Sequence, residues 1–574
     1  MSKRRSTERS DRNRLRLVSG LIAVGFVAAG GTQIRTQVVD RHGVIDRALD
    51  SGRYQIERRD PPRRGAIFTS DGKVLAESQS AFEFGIFYDR VPKSPAFFAA
   101  LADATEFSID ELRRPALLGQ PSKIWREPVV GVRAERIRQV MSRWRADGIS
   151  LVRVLERSYP MGELASNVVG AVRNGEPLTG LEKSQNDVLT GKAGKATGFV
   201  DRTGVFMPID TENMIERMNG ADLTLTIDSD LQADAARSIR EAVEKNRATS
   251  GVAVVVEPDT GNILAMASWP TFEPRGKIVD GSDVNYPVMS RYEPGSTFKI
   301  MTLGKALDTG AADFGGQMQC SGRLQIASWK TISCDHGAHG LVDWDKAIAE
   351  SCNVAAATWA LNMRREHMIE LIEGMGLLQK PGLGLPGEIR GHYDFEDYSK
   401  RVQLATNGFG QSLNATPVAL ANSYAALANG GIRMKPRLIA RVGEKPTEIA
   451  QAGRVVSKDS ADELMRIMVK TIEEEYGTGH SLRISGYRLG GKTGTAQKIA
   501  GGRLVGHVSN FVGFVPAEKP RAVVLIMVDE PKAGAIYGGV VAGPVFSELA
   551  KSIIRRYNIP PSVGSLPNQP AAGR

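Results

Sequence analysis

Ser296 and Lys299 stand three residues apart in Tyr292-Glu-Pro-Gly-Ser-Thr-Phe-Lys299. A serine hydroxyl is a weak nucleophile until a base takes its proton, and a neutral lysine one helical turn away can be that base. Pro294 and Gly295 read as a helix start, with Phe298 to Leu307 as the helical run. Both side chains then share one face of the first turn, where a developing negative charge on the serine gains from the helix dipole. The lysine can act only if its pKa is lowered. Ser-x-x-Lys alone recurs by chance in many helices, so the rest of the chain must supply its partners. Ser351-Cys352-Asn353 places a hydroxyl and an amide on a turn after the helical stretch from Trp344 to Glu350. Gly490-Gly-Lys-Thr-Gly-Thr-Ala496 reads as a strand. Alternation puts Thr493 and Thr495 on one face, Gly494 between them leaves room for a ligand to lie close, and Lys492 points the other way. Its glycines do not fit a phosphate loop, because the lysine precedes the last glycine and the flanking pattern is strand, which argues against ATP.

These segments lie far apart, so the fold must bring them together. A hairpin is expected at Ala66-Ile-Phe68, Ser70-Asp-Gly72 and Val74-Leu-Ala76. Short strands and amphipathic helices such as Ala134 to Trp144 follow, with no catalytic cluster before about residue 220. Asp222 to Ile227 alternates as a strand, Asp230 to Lys245 reads as a helix, and Gly251 to Val256 is an apolar run suited to a buried strand. Asp259-Thr-Gly-Asn262 turns it into Ile263-Leu-Ala-Met-Ala267. Helices dominate 296–475, strands return at 486–498, 507–515 and 521–529, and a helix closes the domain at 541–556. Strands from both ends with helices between predict one mixed α/β sheet assembled from distant segments.

The 574 residues, 42% hydrophobic and 24% charged, suffice for two or three globular domains. The formal charge of +10 is uneven: residues 1–16 hold seven basic and two acidic side chains, a net +5. The remainder is mildly basic, with no basic stripe interleaved with aromatics, which argues against nucleic acid. Residues 17–34 carry no charge and as a helix would span about 27 Å, enough for a bilayer core. They read as a transmembrane anchor with the N-terminus cytoplasmic and the rest exported; a cleaved signal peptide ending near Val27-Ala28-Ala29 is the alternative. Residues 35–50 look helical. Export leaves two readings of Cys320, Cys334 and Cys352: a Cys320–Cys334 disulfide with Cys352 left over, or three reduced buried thiols. The seven histidines are scattered and no Cys/His cluster has ligand spacing, so neither a metal nor a cofactor is expected.

Ser-x-x-Lys, Ser-x-Asn and Lys-Thr-Gly, in that order and about 55 and 140 residues apart, form the motif set of β-lactamases and penicillin-binding proteins. The chain resembles a class B penicillin-binding protein over most of 15–556. Further carriers are Arg63-Arg-Gly-Ala-Ile67, Tyr159-Pro160 with Glu163 to Gly170, Glu257 to Ala267, Asn407-Gly-Phe-Gly410, and Tyr537-Gly-Gly539 with Pro544-Val-Phe546. Within that class it is most similar to the cell-division transpeptidases. One departure is Thr69-Ser-Asp-Gly72, where the family usually has Asp-Arg-Asn-Gly; this puts in doubt any contact made by that arginine.

The resemblance implies a basic tail at 1–16, an anchor at 17–34, a pedestal or dimerisation-type domain at 35–220, a transpeptidase domain of serine β-lactamase-like fold at 221–556 and a flexible tail at 557–574. It implies Ser296 as nucleophile on peptidoglycan stem peptides and on β-lactams, and Lys299 as general base. Ser351 would relay the proton, and Asn353 would bind the donor and position Lys299. Lys492 would help hold Lys299 neutral by like-charge repulsion, with burial adding to it. Thr493, Gly494 and Thr495 would bind the substrate, with the backbone N–H groups of Ser296 and Thr495 as oxyanion hole. Implied partners are a polytopic glycan polymerase and other division proteins. The alternatives are an elongation-type transpeptidase and a membrane-bound β-lactam sensor or β-lactamase-like protein. A bifunctional glycosyltransferase is excluded, since Glu-Asp-x-x-Phe-x-x-His-x-Gly is missing before residue 226.

Overall fold

The structure is a computed structural model that describes residues 2–35, 56–173, 175–200, 206–208, 214–394, 400–500 and 503–562. The helix expected at 35–50 and most of the tail expected at 557–574 therefore lie outside the described residues. The chain divides into two compact units, Met1–Pro62 with Gly191–Asn219, and Arg63–Thr190 with Gly220–Arg574.

In the first unit a helix, α1, runs over Ser2–Ile34 and so takes in the basic tail as well as the apolar stretch. Its Arg16–Ile34 segment, with mean hydropathy 1.7, is long and apolar enough to cross a membrane. The same unit holds a small antiparallel sheet of Ile56–Asp60, Gly194–Val200 and Phe206–Pro208.

In the second unit, residues 63–190 build a sheet around the long strand Val74–Phe87. It pairs antiparallel with Ser122–Val130 and Ile149–Ser158. Helices Pro95–Thr105 and Gly131–Trp144 cover it over a core of Phe84, Phe97, Leu101, Trp125 and Ile137. The expected hairpin is present as Ile67–Phe68 against Val74–Phe87, turning at Gly72 with φ +82°. Strand Leu223–Leu225 joins Ile67–Phe68 in parallel, which gives the mixed pairing.

The sheet that carries the site is antiparallel. Its strands are β1 (Ser250–Val256), β2 (Ile263–Trp269), β3 (Gly490–Ala500), β4 (Arg503–Val515) and β5 (Ala522–Asp529), in the order β2-β1-β5-β4-β3. Both faces are buried, which explains the unbroken apolar runs in β1 and β5. On one face Val252, Val254, Leu525 and Met527 meet α3 (Lys299–Asp308), α5 (Asn353–Asn362), α6 (Pro417–Ala428) and α7 (Lys458–Glu473). On the other, Ala253, Val255, Val524 and Ile526 pack on α2 (Ser229–Asn246) and α8 (Gly543–Arg556). The short helix α4 (Trp344–Ala349) precedes α5. The stretch expected to be helix-rich is interrupted at 317–343 by two two-stranded ribbons, Gln317–Cys320 with Gly340–Asp343 and Arg323–Ala327 with Lys330–Ser333.

Candidate active site

The first motif is set by a glycine. Gly295 has φ +59°, and a Cβ there would lie 2.9 Å from the Thr495 carbonyl oxygen. Only glycine meets both demands, so the chain at 295–296 runs directly against the edge strand β3. The expected helix start proves tighter than an α-helix: Gly295–Phe298 is a 3-10 turn, and α3 begins at Lys299. Ser296 is half-buried on that turn.

Lys299 is fully buried. Its Nζ donates to the Ser351 carbonyl at 2.5 Å and to Ser351 Oγ at 3.0 Å. Burial pulls its pKa down to about 8, against the weaker raising influence of Cys352, Asp335 and Cys334. Lys492 is also fully buried, and its Nζ donates to the Thr493 carbonyl at 3.1 Å and to Thr493 Oγ1 at 3.4 Å. Burial first, and the Lys299 charge second, hold Lys492 well below the usual lysine range. Of the two expected causes, burial leads at both lysines, and the repulsion is felt at Lys492.

Ser351 sits at φ +60°, rare for a residue other than glycine. Cys352 follows as the N-cap of α5, its Sγ accepting from Ala355 N at 3.3 Å. Asn353 Nδ2 donates to the Ser333 carbonyl at 2.9 Å, so the amide braces the 317–343 excursion, while Lys299 donates to Ser351. On β3, Thr493 Oγ1 donates to Thr478 Oγ1 at 2.9 Å, and Thr495 Oγ1 accepts from Gly538 N at 3.2 Å. Gly494 has a different reason from the one expected. A Cβ there would overlap Asn510 Oδ1 and come 2.8 Å from Thr297 Cγ2, so the missing side chain lets β3 seat on the Ser296 turn. As the outer strand of its sheet, β3 presents backbone groups that no sheet neighbour takes.

Residues behind the motifs went unassigned by the sequence. Gly295 N donates to Gly410 O at 3.0 Å, Thr302 Oγ1 to Gly408 O at 2.9 Å, and Tyr424 Oη to the Thr297 carbonyl. A Cβ at Gly410 would overlap Gly295 O, so Asn407 to Gly410 is a close-packed backing to the nucleophile turn. The glycines of that stretch were the available signal. Where the family's arginine is missing, Ser70 Oγ donates to Ile227 O at 3.0 Å, and Asp71 accepts from Ser229 N at 3.1 Å and Ser229 Oγ at 2.7 Å, tying the hairpin to the start of α2.

Of the two readings of the cysteines, the structure has the three reduced buried thiols: all are buried and free, with the Cys320 and Cys334 Sγ atoms 3.8 Å apart. The reading that no Cys/His cluster has ligand spacing fails in three dimensions: Cys320, Cys334, His339 and Cys352 bring their ligand atoms within 4.8 Å of one another.

Comparison with known proteins matches this geometry. The family model described as the penicillin-binding protein transpeptidase domain fits residues 251–551, and that of the penicillin-binding protein dimerisation domain fits 59–225. The probable peptidoglycan D,D-transpeptidase PenA of Neisseria gonorrhoeae is 30% identical over 517 residues, 88% of this chain and 86% of that protein. The chain belongs to the penicillin-binding protein transpeptidase family. It is a class B penicillin-binding protein. Stage V sporulation protein D of Bacillus subtilis is 32% identical over 420 residues, 71% of this chain and 65% of that protein. A crystal structure of penicillin-binding protein 3 from Mycobacterium tuberculosis with ampicillin superposes with a TM-score of 0.66 at 26% identity, covering 89% of this chain and 98% of that one. The dimerisation-domain match of this penicillin-binding protein ends at Leu225, the last residue of the strand that joins Ile67–Phe68.

Proposed function

We propose that this protein cross-links peptidoglycan stem peptides through an acyl-enzyme on Ser296. One observation carries the reading: Lys299, three residues along the chain from Ser296, is fully buried, its pKa is near 8, and its Nζ lies 3.0 Å from Ser351 Oγ. Lys299 takes the Ser296 proton as Oγ attacks the carbonyl carbon of the penultimate D-Ala. The C–N bond breaks, and the proton passes from Lys299 through Ser351 Oγ to the departing D-Ala amine. A neighbouring stem peptide's amine then attacks the ester, gives its proton to Lys299, and Ser296 leaves with that proton restored. Thr493 and Thr495 hold the terminal carboxylate beside Lys492, and Asn353 meets the donor amide. The N–H groups of Ser296 and Thr495 bind the oxyanion, each worth about 3 kcal/mol.

The solved relative holds ampicillin, and a β-lactam offers Ser296 here a strained ring amide in place of the D-Ala–D-Ala peptide bond. The names of the relatives, among them Peptidoglycan D,D-transpeptidase FtsI of Buchnera aphidicola and a sporulation protein, favour wall synthesis at a septum. With α1 crossing the inner membrane and its basic N-terminus cytoplasmic, the catalytic unit works in the periplasm. Exposed Leu117, Leu118, Val132 and Val152 in the dimerisation-domain region offer apolar surface to a polytopic glycan polymerase and other division proteins. The test is intact-mass analysis of the full chain after exposure to a β-lactam, followed by peptide mapping. One adduct on the Ser296 peptide, absent from Ser296→Ala, is the expected result. An adduct elsewhere, or retained in Ser296→Ala, removes Ser296 as nucleophile.

A further inference from the structure

The 317–343 excursion reaches the main core through a few buried side chains, among them Cys320, Ile326, Ile332 and Val342. It consists of two two-stranded ribbons, and an isolated pair of strands is marginally stable in water. Four potential ligands converge at its base. Cys320 ends one ribbon strand, Cys334 follows another, His339 precedes the returning strand, and Cys352 opens α5.

The Sγ–Sγ distances are 3.8 Å for Cys320–Cys334, 3.6 Å for Cys334–Cys352 and 3.5 Å for Cys352–Cys320. His339 Nδ1 lies 3.4 Å from Cys320 Sγ. A tetrahedral zinc ion with Zn–S about 2.3 Å and Zn–N about 2.0–2.1 Å has S···S edges of about 3.8 Å and S···N edges of about 3.6 Å. The observed set fits those edges, whereas a disulfide needs about 2.05 Å. Three thiols cannot all pair with one another, while one ion satisfies all three and the imidazole. The remaining imidazole nitrogen supports the same reading. His339 Nε2 is buried without a hydrogen-bond partner, and Glu350 Oε2 stands 4.0 Å away, where a carboxylate orients a metal-bound histidine.

We propose that Cys320, Cys334, Cys352 and His339 form a structural zinc site that staples the excursion to the N-terminus of α5. Three thiolates and an imidazole select zinc over magnesium or calcium, which take oxygen ligands. The four ligands come from the protein, so the site is closed and adds no reactant to the acyl transfer. Its effect on the site next door is positional. Cys352 separates Ser351 from Asn353, and Asn353 bonds Ser333 in the excursion, so the ion fixes both ends of the second motif.

The experiment uses the full chain purified in detergent without chelators. Elemental analysis should give one zinc per chain. Modification of the three thiols in denaturant should release it in step, and tryptic mapping should recover no Cys–Cys peptide. In His339→Ala, which leaves the buried thiols in place, a competing chelator should strip the zinc at concentrations at least about tenfold lower, since loss of outer support alone costs that much. Hydrogen exchange across 317–343 should rise on zinc removal while β1 and β5 stay protected. A chain that carries no metal and cannot take up zinc overturns the proposal, as does a Cys320–Cys334 disulfide, another metal in zinc's place, or unchanged affinity in His339→Ala. None of these measurements reads acylation, so they stand or fall apart from the role of Ser296.

Discussion

Glu182 and Lys299 are both fully buried, yet their surroundings are opposite. Glu182 accepts from Arg64 Nε and from Arg157 Nε, each at 2.6 Å, and its backbone carbonyl takes a third bond from Arg64 at 2.7 Å. Its charge is matched on both oxygens, which is how a folded protein keeps an ion inside. Lys299 receives only a carbonyl and a hydroxyl, with a second buried lysine as electrostatic neighbour. The first arrangement welds residues 63–190 into a frame. The second keeps a cation short of compensation so that it gives up a proton near neutral pH. Complete pairing marks structure here, and incomplete pairing marks chemistry.

Substituting each residue separates the two roles. Lys299→Met keeps the volume and removes the base, so β-lactam acylation should fall by about 10²–10⁴-fold, read by stopped-flow or gel labelling. Its thermal stability should be unchanged or raised, because an uncompensated buried cation is gone. Glu182→Ala should do the reverse. Stranding Arg64 and Arg157 costs about 3–5 kcal/mol, seen as a lower midpoint in denaturant, while acylation of the folded fraction stays near wild type. If Lys299→Met proved the less stable variant, the contrast between the two burials would collapse.

The pH dependence carries the next largest effect. With a pKa of about 8, Lys299 is about one-tenth neutral at pH 7, so acylation should rise roughly tenfold between pH 7 and 9 and then level off. The sign for stability is the same. The ordinary value is 10.5, so between about 8 and 10.5 the unfolded chain binds the proton that the folded chain has lost. Stability from this group therefore increases with pH through that window, and below pH 8 its burial counts fully against the fold. The stability advantage of Lys299→Met should accordingly shrink as pH rises toward 10.5. An advantage constant with pH would assign it to packing.

How far the site could be read from sequence follows the same division. The three motifs were legible because the nucleophile, its base and the threonine strand sit on one helix turn and one strand, where spacing alone fixes the face. The strands of the central sheet were legible because burial on both faces leaves unbroken apolar runs such as Val252 to Val256. The thiol–imidazole cluster was not, since its ligands are spaced 14, 5 and 13 residues apart across two ribbons that lack a strong pattern of their own. Gly494 was misread because a strand glycine signals close approach without saying from which side. Which cause leads at Lys299 was not legible, because sequence pairs the two lysines by motif but does not tell how completely each is buried.

Lys492→Met gives the smallest effect and the sharpest distinction. If repulsion from Lys492 were the chief cause of the low pKa at Lys299, removing it would carry the acylation midpoint upward by a unit or more. The structure makes burial the leading cause at Lys299. The midpoint should then stay near 8 while the acylation rate falls only several-fold, through loss of the cation beside the carboxylate-binding threonines. Among the described residues Lys492 has no carboxylate partner either: its bonds go to the carbonyl and hydroxyl of Thr493. The variant should therefore remain folded, as Lys299→Met does and Glu182→Ala does not. A midpoint that moved up by a unit would put repulsion in first place and make the two lysines, rather than burial, the origin of the neutral base.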